Sequence, residues 1–453
     1  MPNPERAEIP AMTQAQAPHA VSSGARREKP QTVARMAPSE PDNLRPLQLF
    51  FLAAAVFVVS AGYGALLPML PAWLSQQMPQ ADAAEVARHV GFLSGAYAAG
   101  VLVGAPIWGL ISDRLGRPRI LMVGLIGYVA SLLLLLLLPS IDGLWSIYAL
   151  RAAAGLFVAA VVPVVSALVA AHTPKVLRAR RFAWLGAASL LGFLFGPALN
   201  AVADLLALLI ADGAPLAALS ARIVIVLSAV LGASMMLGLA LTLPAQEEAS
   251  ERDSTEPDAP DRAGIVALWG LSAAVMFVLS GFELGIVLQG QQHANLSTQQ
   301  IALMFAECSL VMLAVNAVLF FTSLLDRVPA RAVIALGLLL GISGLAIMAL
   351  HRADAWMYFG VSLTAAGTGL VLPVISFLAA GASRQRLGAT MGSLAAAAGF
   401  GQTLGSVAGG WLFGALAQRS FGGLALPLVI TLFMLLARPR WWAQQQPMRG
   451  AGA

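Results

Sequence analysis

The chain has 453 residues, of which 58% are hydrophobic and only 11% are charged. A soluble domain carries about 25% charged residues, so this chain has too little charge to cover a water-facing surface. The composition excludes a soluble globular protein and predicts a polytopic membrane protein embedded in a lipid bilayer. The net charge is +5, but the basic residues lie in short loops between apolar runs. This pattern sets membrane topology and argues against nucleic-acid binding.

The first segment, residues 1–46, is rich in Pro, Ala, Ser, Gln and Arg and has no apolar periodicity. Such a composition predicts a disordered cytoplasmic tail. The segment also lacks the short apolar core and small-residue cleavage site of a signal peptide, so we do not expect it to be removed.

Twelve apolar runs follow, each near the roughly 20 residues that cross about 30 Å of hydrocarbon. The predicted spans are 47–74, 86–110, 118–138, 143–169, 181–203, 221–243, 264–288, 299–323, 331–350, 355–379, 387–416 and 421–437.

The basic residues predict the orientation of these spans. With the amino terminus inside, 22 Lys and Arg lie in inside segments and four lie outside. Because positive loops stay in the cytoplasm, we expect both termini to be cytoplasmic, in a multi-pass protein of the cell inner (plasma) membrane.

The segment 244–263 differs from the other loops, because it holds seven carboxylates and three prolines. It predicts a solvated cytoplasmic linker between an N-terminal bundle, 47–243, and a C-terminal bundle, 264–437. Its carboxylates lack the rigid spacing of a metal site. The final residues, 438–453, are predicted to form a second cytoplasmic tail.

One turn between spans carries a recognisable motif, Gly109-x-x-x-Asp113-Arg114-x-Gly116-Arg117-x-Arg119. A charged turn cannot lie in hydrocarbon, so it joins two spans at the membrane surface. It resembles the signature between helices two and three of the major facilitator superfamily, except that Pro118 replaces a basic residue. The resemblance implies an all-α membrane protein with twelve transmembrane helices in two six-helix bundles, the major facilitator fold.

The resemblance also implies that this turn is a gate on the cytoplasmic side. Asp113 can accept hydrogen bonds from a helix amino terminus and pair with an arginine. Gly109 lets another helix approach closely, and we expect that partner near Gly388–Gly392. A degraded copy, Asp326-Arg327, suggests a duplicated gate in which Asp113 outweighs Asp326. The alternative is a loop that only sets topology.

Glycine runs also repeat between the two halves of the chain, at nearly the same sequence offset as the Asp-Arg pair. Gly192-x-x-x-Gly196-Pro197 in span five recurs as Gly401-x-x-x-Gly405 in span eleven. Small residues four apart let helices pack closely. The first run resembles the fifth-span motif of drug:proton antiporters in the same superfamily, although generic helix packing explains it equally well.

Three ionisable side chains within spans are candidates for function, because a charge in hydrocarbon costs about 2.5–3.5 kcal/mol on insertion scales. Glu283 and Glu307 are predicted to bind a proton or a cationic substrate. Arg151 resembles the arginine of the family's fourth-span motif, and it could tune a nearby carboxylate or anchor an anion. The alternative for each is a static pair or a wet helix end.

Polar side chains that could line a cavity are few, and they lie among Leu, Ala, Val and Phe; they are Tyr63, Asn200, Gln289, Asn316 and Gln402. A largely apolar cavity suits lipophilic substrates better than sugars. Bonds between helices explain these residues equally well.

Other chemistry is not indicated by the sequence. It contains no phosphate-binding Gly-x-x-x-x-Gly-Lys-Ser/Thr loop, no Gly-x-Ser-x-Gly elbow and a single cysteine, Cys308. We therefore expect neither an enzyme nor a protein that needs a metal or another cofactor.

Together these patterns predict a secondary active transporter that works by alternating access. The favoured function is proton-coupled efflux of lipophilic or amphipathic small molecules by a monomer. Transport of a polar metabolite, and a membrane sensor that kept the fold without transport, are the alternatives.

Overall fold

The computed structural model describes residues 44–137, 143–173, 175–210, 216–243, 262–292, 296–322, 327–351, 353–382 and 387–437. Within these ranges the regular structure is helical. The helices are α1 Pro46–Gln77, α2 Ala83–Leu115, α3 Arg117–Leu137, α4 Leu144–Val158, α5 Val162–Ala171, α6 Lys175–Ile210, α7 Leu216–Thr242, α8 Arg262–Gln292, α9 Thr298–Phe321, α10 Ala330–Leu350, α11 Asp354–Ala382, α12 Leu387–Leu416 and α13 Ser420–Ala437.

The helices confirm the predicted fold class. Eleven stretches of the described chain are long and apolar enough to cross a membrane. The last, Gly392–Ala437, has 46 residues and contains both α12 and α13, with a short 3-10 turn at Ala417–Arg419 between them. Since about 20 residues suffice for one crossing, this stretch accounts for two of the twelve passes. The predicted tails and the acidic linker lie largely outside the described residues.

The fourth pass differs from the prediction of one continuous helix. It breaks into α4 and α5 at 159–161, where Ala160 and Val161 donate to the carbonyls three residues earlier, Phe157 and Val158. Pro163 follows in the first turn of α5, where its missing N–H costs nothing. The periodicity of apolar residues could not reveal this break, because both sides of it are equally hydrophobic.

The predicted turn between α2 and α3 is a single residue, Gly116. Its φ is +90°, a backbone conformation that side chains with a Cβ rarely adopt. Because consecutive passes run antiparallel, this turn marks one end of the bundle, here the Gly116 end. The α1–α2 connection at Met78 marks the other, the Met78 end.

Glycine contacts repeat between the first bundle, α1–α7, and the second bundle, α8–α13. On α6, Gly192 and Gly196 face the backbone of α1 at Phe57 and Gly64. On α12, Gly401 and Gly405 face the backbone of α8 at Ala273 and Phe277. Such contacts need a residue without a Cβ, so the repeated motif corresponds to a repeated helix pair.

The two bundles meet along α2 and α12 near the Met78 end. A Cβ added at Gly91 would lie 2.8 Å from the Gly410 Cα and 2.9 Å from the Ser406 carbonyl oxygen. One at Gly414 would lie 2.9 Å from the Ala84 carbonyl oxygen. Toward the Gly116 end, a Cβ at Gly109 or Gly392 would meet no described atom within 4 Å. Among the described residues, the bundles are therefore closed together at the Met78 end and apart at the Gly116 end.

This contact predicts an effect of adding one methyl group. In Gly410→Ala the new Cβ would meet the backbone of Ala87 and Gly91, which cannot move aside as a side chain can. We expect the variant to lose about 1–3 kcal/mol of stability, the usual cost of overpacking, measured by thermal unfolding of the purified protein.

The matched control is Gly270→Ala on α8, where the added Cβ meets nothing within 4 Å. It should be neutral or slightly stabilising, since alanine favours helix over glycine. Equal stability of the two variants would contradict the tight contact between the bundles.

Candidate functional site

Arg151 is a buried cation inside the first bundle. Its side chain is 3% exposed, and its guanidinium carbon lies 4.8 Å from the centroid of the Tyr97 ring. Gly155, one turn later on α4, packs against the Tyr97 carbonyl and brings α4 close to α2. A cation over an aromatic face is stabilised by about 2 kcal/mol or more when both are desolvated.

Four rings continue from Tyr97 across the interface between the bundles; we refer to Tyr97, Tyr63, Phe193 and Phe305 as the aromatic layer. The centroids of Tyr97 and Tyr63 are 5.2 Å apart, those of Tyr63 and Phe193 5.8 Å, and those of Phe193 and Phe305 5.7 Å. These are ordinary spacings for interacting rings. The layer therefore connects α2, α1 and α6 of the first bundle with α9 of the second.

Glu283 joins this layer from α8. The Tyr63 hydroxyl donates a hydrogen bond of 3.3 Å to Glu283 Oε2, which links the two bundles. The structure thus brings two of the predicted charged residues, Arg151 and Glu283, to opposite ends of one Tyr97–Tyr63 pair. No described carboxylate lies within 4.0 Å of the Arg151 guanidinium, so the two are not an ion pair.

Glu307 lies apart from that pair, within the second bundle. Its Oε1 accepts a hydrogen bond from Ser362 on α11, while its Oε2 is enclosed without a partner. The neighbouring Cys308 is buried. Glu307 is two residues from Phe305, which places it near the far end of the aromatic layer.

The predicted gate residues lie at the Gly116 end. Arg114 and Arg119 are exposed, and Gly109 and Arg117 are half-buried. The backbone of Asp113 is in the last turn of α2, but its side chain is outside the described set, and so is Asp326. Arg327 is exposed.

The predicted cavity residues differ in their hydrogen-bond partners. Tyr63 is part of the aromatic layer. Asn200 donates to the Ala65 carbonyl of α1 at 3.0 Å, and Asn316 donates to Met312 of its own helix at 2.8 Å. Gln289 is 4% exposed with its Oε1 unpartnered, and Gln402 is half-buried. The two asparagine amides are therefore occupied by backbone carbonyls.

Sequence reasoning did not single out Tyr97, Tyr128, Phe193, Phe305 or Ser362. The sequence did contain one signal for the tyrosines of this site. The chain has only five tyrosines, and three of them lie in the first three spans. Arg151 lies over the Tyr97 ring, and the Tyr97 ring packs against that of Tyr63. Within the described part of the chain, no cluster of His, Cys, Asp and Glu could hold a metal ion.

A helical membrane protein whose two repeated bundles meet at one end, with a carboxyl group at their interface and a buried cation beside it, has the build of a transporter. Residues 52–319 match the Major Facilitator Superfamily, and the chain belongs to this family. Members of the family are transporters rather than enzymes, as the sequence predicted.

Similar proteins confirm the predicted resemblance to the drug:proton antiporter branch. The class D tetracycline resistance protein of Salmonella ordonez is 26% identical over 391 residues, which are 83% of this chain and 94% of that protein. The class B protein of Escherichia coli is 37% identical over 142 residues, 31% of this chain and 34% of that one. The quinolone resistance protein NorA of Staphylococcus aureus is 27% identical over 154 residues, 34% and 37% of the two chains.

Solved structures show the same fold at low identity. A bacterial homologue of the human lysosomal transporter Spinster, in an inward-facing and occupied conformation, has a TM-score of 0.69 at 14% identity and covers 90% of this chain and 100% of that one. The human organic anion transporter MFSD10 has a TM-score of 0.66 at 19% identity, covering 86% and 100%.

Arg151 is buried without an acidic partner. We therefore expect the protein to become more stable when the charge of this side chain is removed. Its Nε and Nη2 are enclosed and have no hydrogen-bond partner. Because an uncompensated buried charge is costly, Arg151→Met should raise the unfolding free energy by roughly 1–4 kcal/mol. Thermal unfolding of the purified variant measures this change.

The control is Arg119→Met, which removes an exposed charge and should change stability little. A destabilised Arg151→Met would contradict the account, because it would mean that the Tyr97 ring and other contacts outweigh the cost of burying the charge.

Proposed function

We propose that this transporter exports lipophilic or amphipathic small molecules in exchange for protons, by alternating access. The observation that carries the proposal is the Tyr63–Glu283 hydrogen bond, which places a carboxyl group at the junction of the two bundles. A group at that junction can sense which side of the membrane the cavity faces, and it can carry a proton between them.

The proposed orientation rests on the basic residues. The Gly116 end carries Arg114, Arg117 and Arg119, so it would face the cytoplasm, as would both termini. The bundles are apart at this end and closed at the Met78 end. The described conformation is then the one that is open to the cytoplasm, in a monomer in the inner (plasma) membrane.

Protonation of Glu283 would bias the conformational equilibrium. A carboxylate accepts a stronger hydrogen bond than a carboxylic acid, so ionised Glu283 holds Tyr63 and the two bundles together. A proton that binds from outside in the outward-open state is carried across when the protein returns to the described conformation, and its release to the cytoplasm leaves the carboxylate that forms the strong bond with Tyr63. Substrate entering from the cytoplasm separates the aromatic layer, which favours the outward-open state. Glu307, held by Ser362, is the second candidate proton carrier.

The gate proposed for the Gly116 end forms in the other conformation, which is closed to the cytoplasm. When the cytoplasmic side closes, the last turn of α2 with Asp113 would approach the start of α12. No described atom would lie within 4 Å of a Cβ at Gly109 or Gly392, which supports this assignment, because a glycine can accept a close helix. Asp326-Arg327 would be the weaker second copy.

The surroundings of the site support an apolar substrate. The aromatic layer offers ring faces, and two of the candidate polar residues, Asn200 and Asn316, are occupied by backbone carbonyls. The names of the tetracycline and quinolone resistance proteins agree with an exporter of planar, amphipathic compounds. A polar metabolite would need more hydrogen-bonding groups, and a non-transporting sensor would have no use for a carboxyl group between its bundles.

Transport in liposomes tests the function. Purified protein is reconstituted with an imposed pH gradient and a pH-sensitive dye, and tetracycline, norfloxacin and glucose are added in turn. We expect tetracycline or norfloxacin, but not glucose, to stimulate proton movement. Glucose-driven proton movement would favour the polar-metabolite alternative, and no response to any lipophilic compound in a broader panel would favour a sensor.

The carboxyl variants test the coupling. Glu283→Gln should abolish pH-driven transport and keep exchange of labelled for unlabelled substrate, because that exchange needs no net proton transfer. Glu307→Gln should behave in the same way if it carries a second proton. The control Glu85→Gln removes an exposed carboxylate at the start of α2 and should leave coupling intact. Full coupling in Glu283→Gln would contradict its proposed role.

A further inference from the structure

Three buried side chains in the first bundle share one deficiency: each has a hydrogen-bond donor with no partner. They are Arg151 on α4, Tyr128 on α3 and Ser228 on α7, with exposed fractions of 3%, 3% and 1%, and we call them the donor cluster. Arg151 leaves Nε and Nη2 unpartnered, and the other two leave their hydroxyl oxygens unpartnered.

Helix α1 brings Tyr128 and Ser228 together, and Arg151 approaches α1 through Tyr97 and Tyr63. The Tyr128 hydroxyl occupies the position that a Cβ of Gly62 would take, and the Ser228 Cβ lies 3.8 Å from the same point. Arg151 lies over the Tyr97 ring, whose centroid is 5.2 Å from that of Tyr63. Tyr63, the residue after Gly62, belongs to the aromatic layer. The donor cluster therefore adjoins the layer from inside the first bundle.

The described part of the chain does not supply the acceptor that this cluster lacks. In the residues that the structure describes, no carboxylate lies within 4.0 Å of Arg151. Glu283 instead accepts from Tyr63, and Glu307 accepts from Ser362 in the other bundle. Because buried donors need acceptors, and a buried guanidinium needs a negative one, the missing partner is an anion.

The geometry points to a substrate that is an amphipathic organic acid: its carboxylate binds Arg151 and Tyr128, and its flat apolar body lies against the aromatic layer. This inference rests on the proposed function and specifies its substrate class. A planar carboxylate matches the fork of a guanidinium, which can donate two parallel hydrogen bonds to it. The ring faces of Tyr63 and Phe193 offer area for the body. The enclosed donors become accessible as the rings of the layer separate.

Three compounds with the same apolar body and different charge provide the test: 2-naphthoate, 2-naphthylmethanol and 2-naphthylmethylamine. Their equilibrium binding to the full-length purified protein is measured by calorimetry. We expect naphthoate to bind most tightly. Arg151→Gln should weaken naphthoate binding by about 100-fold, and Tyr128→Phe by about tenfold, as expected for lost hydrogen bonds to a charged group.

Matched variants separate binding from folding. Ser420→Ala removes a buried, unpartnered hydroxyl of the second bundle and should leave naphthoate binding unchanged. Retained binding of 2-naphthylmethanol by Arg151→Gln shows that the variant is folded. Arg151→Lys, which keeps the charge without the fork, should recover part of the affinity.

Defined results would overturn the inference. Tighter binding of the amine than of the acid, or an unchanged naphthoate affinity in Arg151→Gln, would remove the anion site. Nitrate or acetate binding as tightly as naphthoate would show that a small free anion is the ligand, and would overturn the assignment to an amphipathic acid.

The same measurements distinguish this inference from the proposed function. If the amine or the alcohol drives proton exchange while the acid does not bind, the inference fails and proton-coupled export stands. If the acid binds through Arg151 but no compound moves protons, the proposed coupling fails and the anion site stands.

Discussion

The contact between α2 and α12 is the constraint on which the rest of the structure depends. At Gly91 and Gly410 two helices from different bundles touch through their backbones, and a single added methyl group would meet main-chain atoms. Lipid tails are as apolar as leucine, so close packing rather than hydrophobic burial holds helices together in a membrane. Such a contact is either fully made or lost when helices tilt. It therefore suits a protein that alternates between two closures, and it fixes the side on which the described conformation is closed.

The aromatic layer brings ionisable side chains to the region where the two bundles meet. It carries a buried cation at one end, through Tyr97, and a carboxyl group near its middle, through Tyr63. The two charged groups belong to different bundles and do not neutralise one another in this conformation. Unpaired charge is expensive in a low-dielectric interior, and its persistence in Arg151 is most simply explained by a ligand or a second state that supplies the partner. Stability and function are thus opposed at this residue.

Much of the fold was predictable, because hydrophobic run length and basic-loop charge depend on the bilayer rather than on neighbouring side chains. The twelve passes and a turn between the second and third of them followed from those patterns, but the shortness of that turn, one residue at Gly116, did not. The break at 159–161 did not, since both sides of it are equally apolar. Arg151 and Glu283 could be chosen as charges in hydrocarbon, but their link through Tyr97 and Tyr63 required the relative rotation of four helices. No periodicity in a uniformly apolar helix encodes that rotation.

Distances at both ends of the bundle, measured on one protein, test the alternating-access account most directly. Spin labels at Ala83 and Ala415 report on the Met78 end, and labels at Leu115 and Ala395 report on the Gly116 end; the single native cysteine, Cys308, is buried. The account predicts a short first distance with a long second one at high pH, and growth of a population with the reverse pattern at low pH. Distances that change together at both ends, or that do not respond to pH, would contradict it.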